Sequence, residues 1–323
     1  MKDVLNITGV SVRPGEKISC YVTVPDTDYR FPVTIINGAR DGRILLATAG
    51  IHGCEYPGVL TVVELAKEID PAQVNGAIIM THEINMSAFL ERQTYVVPAD
   101  EERKNLNRMF PTDHSGTLAD KICVFLGEAL VRPSDFHIDI HSGDMVEDLE
   151  ACILVANTPD PGIQAICTEA AQRTRFQWRM NSGGRTEFYN SSAINYGIPA
   201  LLFERGGHGE CLRKDVEDNK ADLVSIMQYL GILSGTPEIN HDQHFFDRHE
   251  WTEAIEGDNG LLFSFVKVGD DIREGQKLFE IRDMFGDLIR EIHACFDGHV
   301  VIMSNTLAVH EHDDLITYGH IGE

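Results

Sequence analysis

RILLATAGIHGCEYPGVLTVVELAKEI, residues 43–69, decides the fold. Its first seven residues form an apolar run of strand length, bounded by a glycine. Residues 55–69 then carry apolar side chains at helical spacing, and Pro57 is tolerated in the first turn, where its missing N–H would have had no partner. A buried strand is therefore followed at once by a helix. The same alternation continues outward. AIIMTHEI (77–84), FHIDIH (136–141), ACILVA (151–156) and PALLFE (199–204) read as strands. Residues 117–131, 161–173 and 212–230 read as helices. Such alternation predicts an α/β fold with a mixed, largely parallel sheet flanked by helices.

The texture changes near 235–245, where SGTPEIN offers turn residues and no long helical pattern follows. Short strands split by glycine turns come instead, among them GLLFSFV (260–266), KLFEIRD (277–283) and DGHVVIM (297–303). We therefore expect two parts: residues 1–240, an α/β domain with an N-terminal β segment, and 241–323, a smaller all-β barrel or sandwich. A chain of 323 residues exceeds the usual single-domain size, which fits this division.

With 51 acidic and 27 basic residues the formal charge is −24, and such a surface repels phosphate backbones and anionic membranes. Neither nucleic acid nor a membrane is expected as a partner. The seven cysteines are scattered, odd in number and without a CxxC pair, which argues against a disulfide framework or a thiolate metal site. The first residues, MKDVLNITGVSVRPGEK, lack a signal-type apolar stretch, and no run is long enough to span a bilayer, so a cytoplasmic location is expected. A homo-oligomer is the default expectation for assembly.

Four stretches carry chemistry. In AGIHGCEYPG (49–58), His52 and Glu55 fall between a strand's end and a helix's start, at the carboxyl edge where α/β sheets gather ligands. Imidazole nitrogen and carboxylate oxygen both suit zinc. In FHIDIHSGD (136–144), His137, Asp139 and His141 share one face of a strand. His141, at its end, completes a His/Glu/His set with an open position, the pattern of a catalytic zinc site holding one ion per chain. His137, two residues deeper, is the competing ligand and otherwise a core histidine. Asp139 is either an orienting partner of a ligand or a buried, hydrogen-bonded carboxylate. In IPALLFERGGHG (198–209), Glu204 ends an apolar strand, where a buried charge needs a reason. Near an activated water it would serve as general base, whereas Arg205 offers a plain ion pair and His208 a loop residue without a role. In KNLNRMFP (104–111), Asn107 and Arg108 form a fork of donors suited to a substrate carboxylate. Zinc is inferred from ligand type, and manganese or cobalt would suit the same donors.

Taken together, GIHGCE (50–55), NLNRMFP (105–111), DIHSGD (139–144) and LLFERGG (201–207) resemble, in order and separation, the succinylglutamate desuccinylase/aspartoacylase family of zinc-carboxypeptidase-like hydrolases. The resemblance covers nearly the whole chain, because the β-rich tail also resembles that family's C-terminal domain. It implies zinc on His52, Glu55 and His141, Glu204 as general base, and a substrate carboxylate held by Asn107 and Arg108. It further implies that Arg92, in AFLERQTY (88–95), polarises the scissile carbonyl. The implied reaction is hydrolysis of an N-acyl amino acid bearing an acetyl or succinyl group, an acetylated diamino acid included. Within GGRTEFYN (183–190), Arg185, Glu187 and Tyr189 are candidate pocket residues.

Three rivals stand beside this reading. A metallocarboxypeptidase acting on short peptides would share the metal set and Glu204, but the β-rich tail would narrow its access. A carrier module of lipoyl or biotinyl type would present a lysine on the turn IRDMFGDLI (281–289), which has none. A non-catalytic metabolite-binding relative would have no need of Glu204 as a base.

Overall fold

The computed structural model describes residues 3–95, 105–112, 116–183 and 186–322. The apolar run of residues 43–49 lies inside a sheet of thirteen strands among the described residues. Strand Arg40–Ala49 pairs in parallel with Asn75–Thr81 on one side and with Phe136–His141 on the other. Leu45, Ala47 and Ala49 join a core shared with helices Tyr56–Glu68, Pro161–Ala171 and Arg213–Tyr229. Leu46 points into a second core with Ile122, Leu126 and Phe188 on the opposite face. A strand covered on both faces needs apolar residues at nearly every position, which is why this one reads as a continuous run.

Strand Ala200–Glu204 pairs in parallel with Phe136–His141 and antiparallel with Cys152–Val155, which makes the sheet mixed. Arg30–Asn37 and Glu16–Thr23 extend it antiparallel beyond Asn75–Thr81. The expected strand 77–84 ends at Thr81, because the chain then turns across the end of its neighbour: the amides of Ile84 and Asn85 donate to the carbonyls of Ala49 and Gly50 at 3.2 and 2.8 Å. The expected helix 117–131 is Leu118–Phe125, capped by Thr117 and Asp120, continued by a wider helical turn at Leu126–Val131.

Past residue 240 the sheet carries on. In strand His244–Glu253, His244 and Phe245 pair in parallel with Trp178 and Arg179. The rest of that strand, from Phe246, runs antiparallel to Asp314–Ile321. Gly298–Ser304 follows in the same sheet and also takes Glu147–Leu149. A second sheet of four strands holds Leu288–His293, Lys277–Arg282, Gly260–Ser264 and Ala308–Val309, and Leu262, Phe279 and Ile281 from it share a core with Val300, Ile316 and Tyr318. The strands past residue 240 thus divide between the continuing large sheet and this four-stranded one, with a core between them. Cys152, Trp178, Phe246, Val301 and Ile302 form one buried cluster across the join. Among the described residues no helix is long and apolar enough to cross a membrane.

Candidate metal centre and active-site cavity

Glu55 immediately precedes helix Tyr56–Glu68 yet makes no side-chain cap bond to it. Its carboxylate turns to two imidazoles instead: Oε1 contacts His52 Nδ1, and Oε2 lies 2.9 Å from His141 Nδ1. Oε2 also accepts the Ser142 amide at 3.1 Å. The loop that brings His52 here needs its glycines. Gly50 has a φ of +75°, and a side-chain carbon on it would collide with the Glu83 carboxyl group; one on Gly53 would collide with the Phe89 amide.

The far nitrogens of both rings are committed. His52 Nε2 lies 2.8 Å from Asn105 Oδ1, an oxygen identified as such because it also accepts the Asn107 amide at 2.8 Å. His141 Nε2 lies 3.1 Å from Asp139 Oδ2. Both partners only accept, so each Nε2 carries a proton, and each ring turns its Nδ1 toward Glu55. Three potential ligand atoms thus lie within 4.8 Å of one another, an arrangement that protons on the Nδ1 atoms satisfy in the free chain and that a metal cation would satisfy in their place. Burial opposes charge on Glu55, but His52 and His141 outweigh it and hold the carboxyl at about 2. Burial likewise opposes charge on His141, and Glu55 and Asp139 overrule it, pushing the imidazole well above its ordinary value. The residues present therefore fit a divalent metal.

Behind His141 runs a buried polar chain. Asp139 Oδ1 accepts the Thr48 hydroxyl proton at 2.6 Å, so Thr48 must itself accept from His137 Nε2 at 2.8 Å, and His137 Nδ1 accepts from Ser192 at 2.9 Å. His137 is fully buried, and burial drives its pKa down to about 4. Both its nitrogens are engaged away from the cluster, as in a core histidine. Asp139 combines both expectations: it is buried and hydrogen-bonded, and it orients His141.

Glu204 stands directly beside His141 in the strand pairing. Burial raises its carboxyl well above the ordinary value; His141 opposes this, and the carboxylates of Glu55, Glu147 and Asp139 add to it. Arg205 is not its partner. That guanidinium turns the other way, donating to Asn219 and Asp222 at 2.7 Å each, over the Phe176 ring.

His52, Glu55, Asn107, Arg108 and Glu204 line one cavity of about 320 Å³. Asn107 Oδ1 accepts the Phe188 amide at 2.8 Å and so starts helix Phe188–Tyr196. Arg108 Nη2 lies 3.5 Å from Asp314 Oδ2. The opposite wall comes from the C-terminal strands, including Trp251, Leu262, Ser304 and Asp314.

Arg92 lies two residues before Thr94, which lines the cavity. Arg92 itself is exposed, in a left-handed conformation at the end of helix Met86–Glu91, and is not among the cavity's lining residues. Glu187 lines the cavity, Tyr189 is fully buried in the cluster across the join, and Arg185 lies outside the described residues. His208 is exposed, 3.6 Å from Asp148. Sequence reasoning passed over Thr48, Asn105, Trp251 and Asp314. Thr48 left a signal, a polar residue interrupting an apolar run; Asn105 opens a motif already singled out.

Fold and cluster define a class: mixed α/β chains with a potential metal cluster at the sheet's carboxyl edge and a β-rich extension over it. Within that class the chain belongs to the succinylglutamate desuccinylase/aspartoacylase family, whose model of the "Succinylglutamate desuccinylase/Aspartoacylase catalytic domain" matches residues 41–230. A curated relative, the N-alpha-acetyl-L-2,4-diaminobutyric acid deacetylase of Halomonas elongata, is 24% identical over 258 residues, covering 78% of this chain and 74% of its own. Among solved structures, a succinylglutamate desuccinylase/aspartoacylase from Rhodobacter sphaeroides superposes with a TM-score of 0.81 at 23% identity, over 95% of this chain and 96% of that one. The product-bound ectoine utilization protein of Ruegeria pomeroyi gives 0.80 at 23% identity, over 94% and 95%.

Proposed function

We propose that this protein is a zinc-dependent hydrolase of the amide bond in N-acyl amino acids. One observation carries the reading: His52 and His141, each with a proton on Nε2, turn their Nδ1 atoms onto the Glu55 carboxylate. A single zinc ion held by these three residues would supply Lewis acidity toward the substrate carbonyl and water. The chain's own residues do the rest. Glu204, beside His141, takes a proton from the attacking water as the new C–O bond forms and gives it to the leaving nitrogen as the C–N bond breaks. The high proton affinity that burial confers on this carboxyl suits the second of those roles. Arg108 and the Asn107 amide hold the substrate carboxylate.

The cavity, about 320 Å³, is at the small end for ligand sites and fits one acylated amino acid better than a peptide. Membership of the family supports acyl amino acid hydrolysis, and the Halomonas relative, a deacetylase of an acetylated diamino acid, supports including such compounds among the substrates. The seven free cysteines fit a reducing cytoplasm. The test is metal content by plasma mass spectrometry, paired with amine release from a panel of N-acetyl and N-succinyl amino acids. About one zinc per chain and chelator-sensitive release are expected. No metal uptake after zinc is supplied would sink the reading.

A further inference from the structure

We propose that Asp314, from the C-terminal strands, is the positioning residue for Arg108 and, through it, for the substrate carboxylate; this rests on the deacylase reading above. Arg108 closes the short helical turn Leu106–Arg108, and its backbone is well held: its carbonyl accepts the Thr186 hydroxyl at 2.9 Å, and the neighbouring Asn107 side chain is buried and bonded. The guanidinium is held differently. Apart from a 3.3 Å contact with the Asn107 carbonyl, its partner among the described residues is Asp314, at 3.5 Å across the cavity's two walls.

Asp314 is itself clamped. Its Oδ1 accepts the Trp251 indole N–H at 2.6 Å, its carbonyl accepts the Ser304 hydroxyl at 2.5 Å, and its backbone pairs with Glu253 at the head of the last strand. Arg108, Trp251, Ser304 and Asp314 all line the cavity. A guanidinium has five N–H donors in one plane, and a single carboxylate oxygen at this distance leaves most of them for a ligand. What Asp314 contributes is direction. Asp144, Glu147, Glu187 and Glu204 line the same cavity, and Arg108 carries the only fixed positive charge among its described lining residues. A guanidinium paired with a clamped counter-charge keeps one orientation beside Asn107 instead of sampling the cavity's other acidic groups, and that fixed orientation is what the substrate carboxylate would meet.

The test uses the full chain loaded with zinc and the best N-acyl amino acid of the panel. Asp314→Asn keeps the shape and an acceptor for Trp251 but turns an uncharged amide toward Arg108. KM is expected to rise about tenfold with kcat within about threefold and zinc content unchanged, and Asp314→Glu is expected to recover most of the loss. Combining D314N with R108Q should be no worse than R108Q alone. A D314N with wild-type KM, or effects that simply add, would overturn the proposal. Should D314N fold poorly, Trp251→Phe removes the clamp's donor and leaves the charge; its KM should rise less but in the same direction, and an unchanged KM overturns the clamp. A wild-type chain that neither takes zinc nor releases amine brings down the deacylase reading itself, an outcome distinct from a working enzyme indifferent to D314N.

Discussion

The Nε2 of His141 lies 3.1 Å from Oδ2 of Asp139, and that contact decides which edge of the imidazole is left for a cation. The Asp139 carboxylate can only accept, so it fixes the tautomer as well as the ring's direction. Replacing it with Asn keeps an acceptor and loses the charge. We expect Asp139→Asn to weaken zinc binding about ten- to hundredfold, read by competition with a chromophoric chelator. Asn105→Ala should act in the same direction on His52, because Asn105 Oδ1 plays the corresponding part there. Wild-type affinity in both variants would mean that packing alone orients the rings.

Glu204→Gln tests the proton carrier. The amide keeps the volume and cannot take a proton, so zinc content should stay near one per chain while kcat falls by about two to four orders of magnitude. Steady-state amine release beside metal analysis separates these two quantities. Unchanged turnover would remove Glu204 from the mechanism.

His137 and His141 stand on one strand and should answer differently. His141→Ala should lower zinc content, whereas His137→Gln should retain it. The pH dependence separates them further. Burial lowers the His137 pKa from 6.5 to about 4, so between those values the unfolded chain binds a proton that the native chain refuses. Stability from this group is therefore complete above about pH 6.5 and is lost as pH falls toward 4, at up to about 1.4 kcal/mol per unit. Urea unfolding of wild type and His137→Gln across that window should show the variant with the shallower acid slope. Parallel slopes would place the acid sensitivity elsewhere.

Arg205 is a structural charge. Its guanidinium lies between Asn219 and Asp222 and over Phe176, and is 4% exposed. Arg205→Met leaves Asp222 buried without its cation and should cost about 3–5 kcal/mol in denaturant unfolding. KM and kcat of the surviving folded fraction should stay close to wild type. A large loss of kcat at unchanged stability would tie Arg205 to Glu204 after all.

The central strands were legible because burial on both faces writes them as apolar runs closed by glycines, and their carboxyl ends delivered His52, Glu55, His141 and Glu204 together. Helix Phe188–Tyr196 was not legible. FYNSSAINY carries no apolar stripe, yet Phe188 through Ala193 are buried, because its polar side chains bond inward: Ser192 to His137, and Asn190 to the Asn157 amide. Trp178–Asn181 is four residues long and alternates buried with half-buried, too short a pattern to separate from a loop. The clamp on Arg108 was invisible for another reason. Trp251 and Asp314 lie more than 140 positions along the chain from Arg108, and only the pairing of His244–Glu253 with Asp314–Ile321 brings them back to it.

That shared strand has a consequence for how the protein can be cut. His244 and Phe245 cover one flank of Trp178–Asn181, whose other flank is taken by Cys152–Val155. A fragment ending near residue 240 would strip that cover and bare a row of unpaired backbone donors and acceptors beside Trp178 and Met180. Such an edge recruits other chains. In the whole protein the start of the strand from His244 keeps that edge closed, so the two portions share a sheet and do not separate at residue 240 without exposing it.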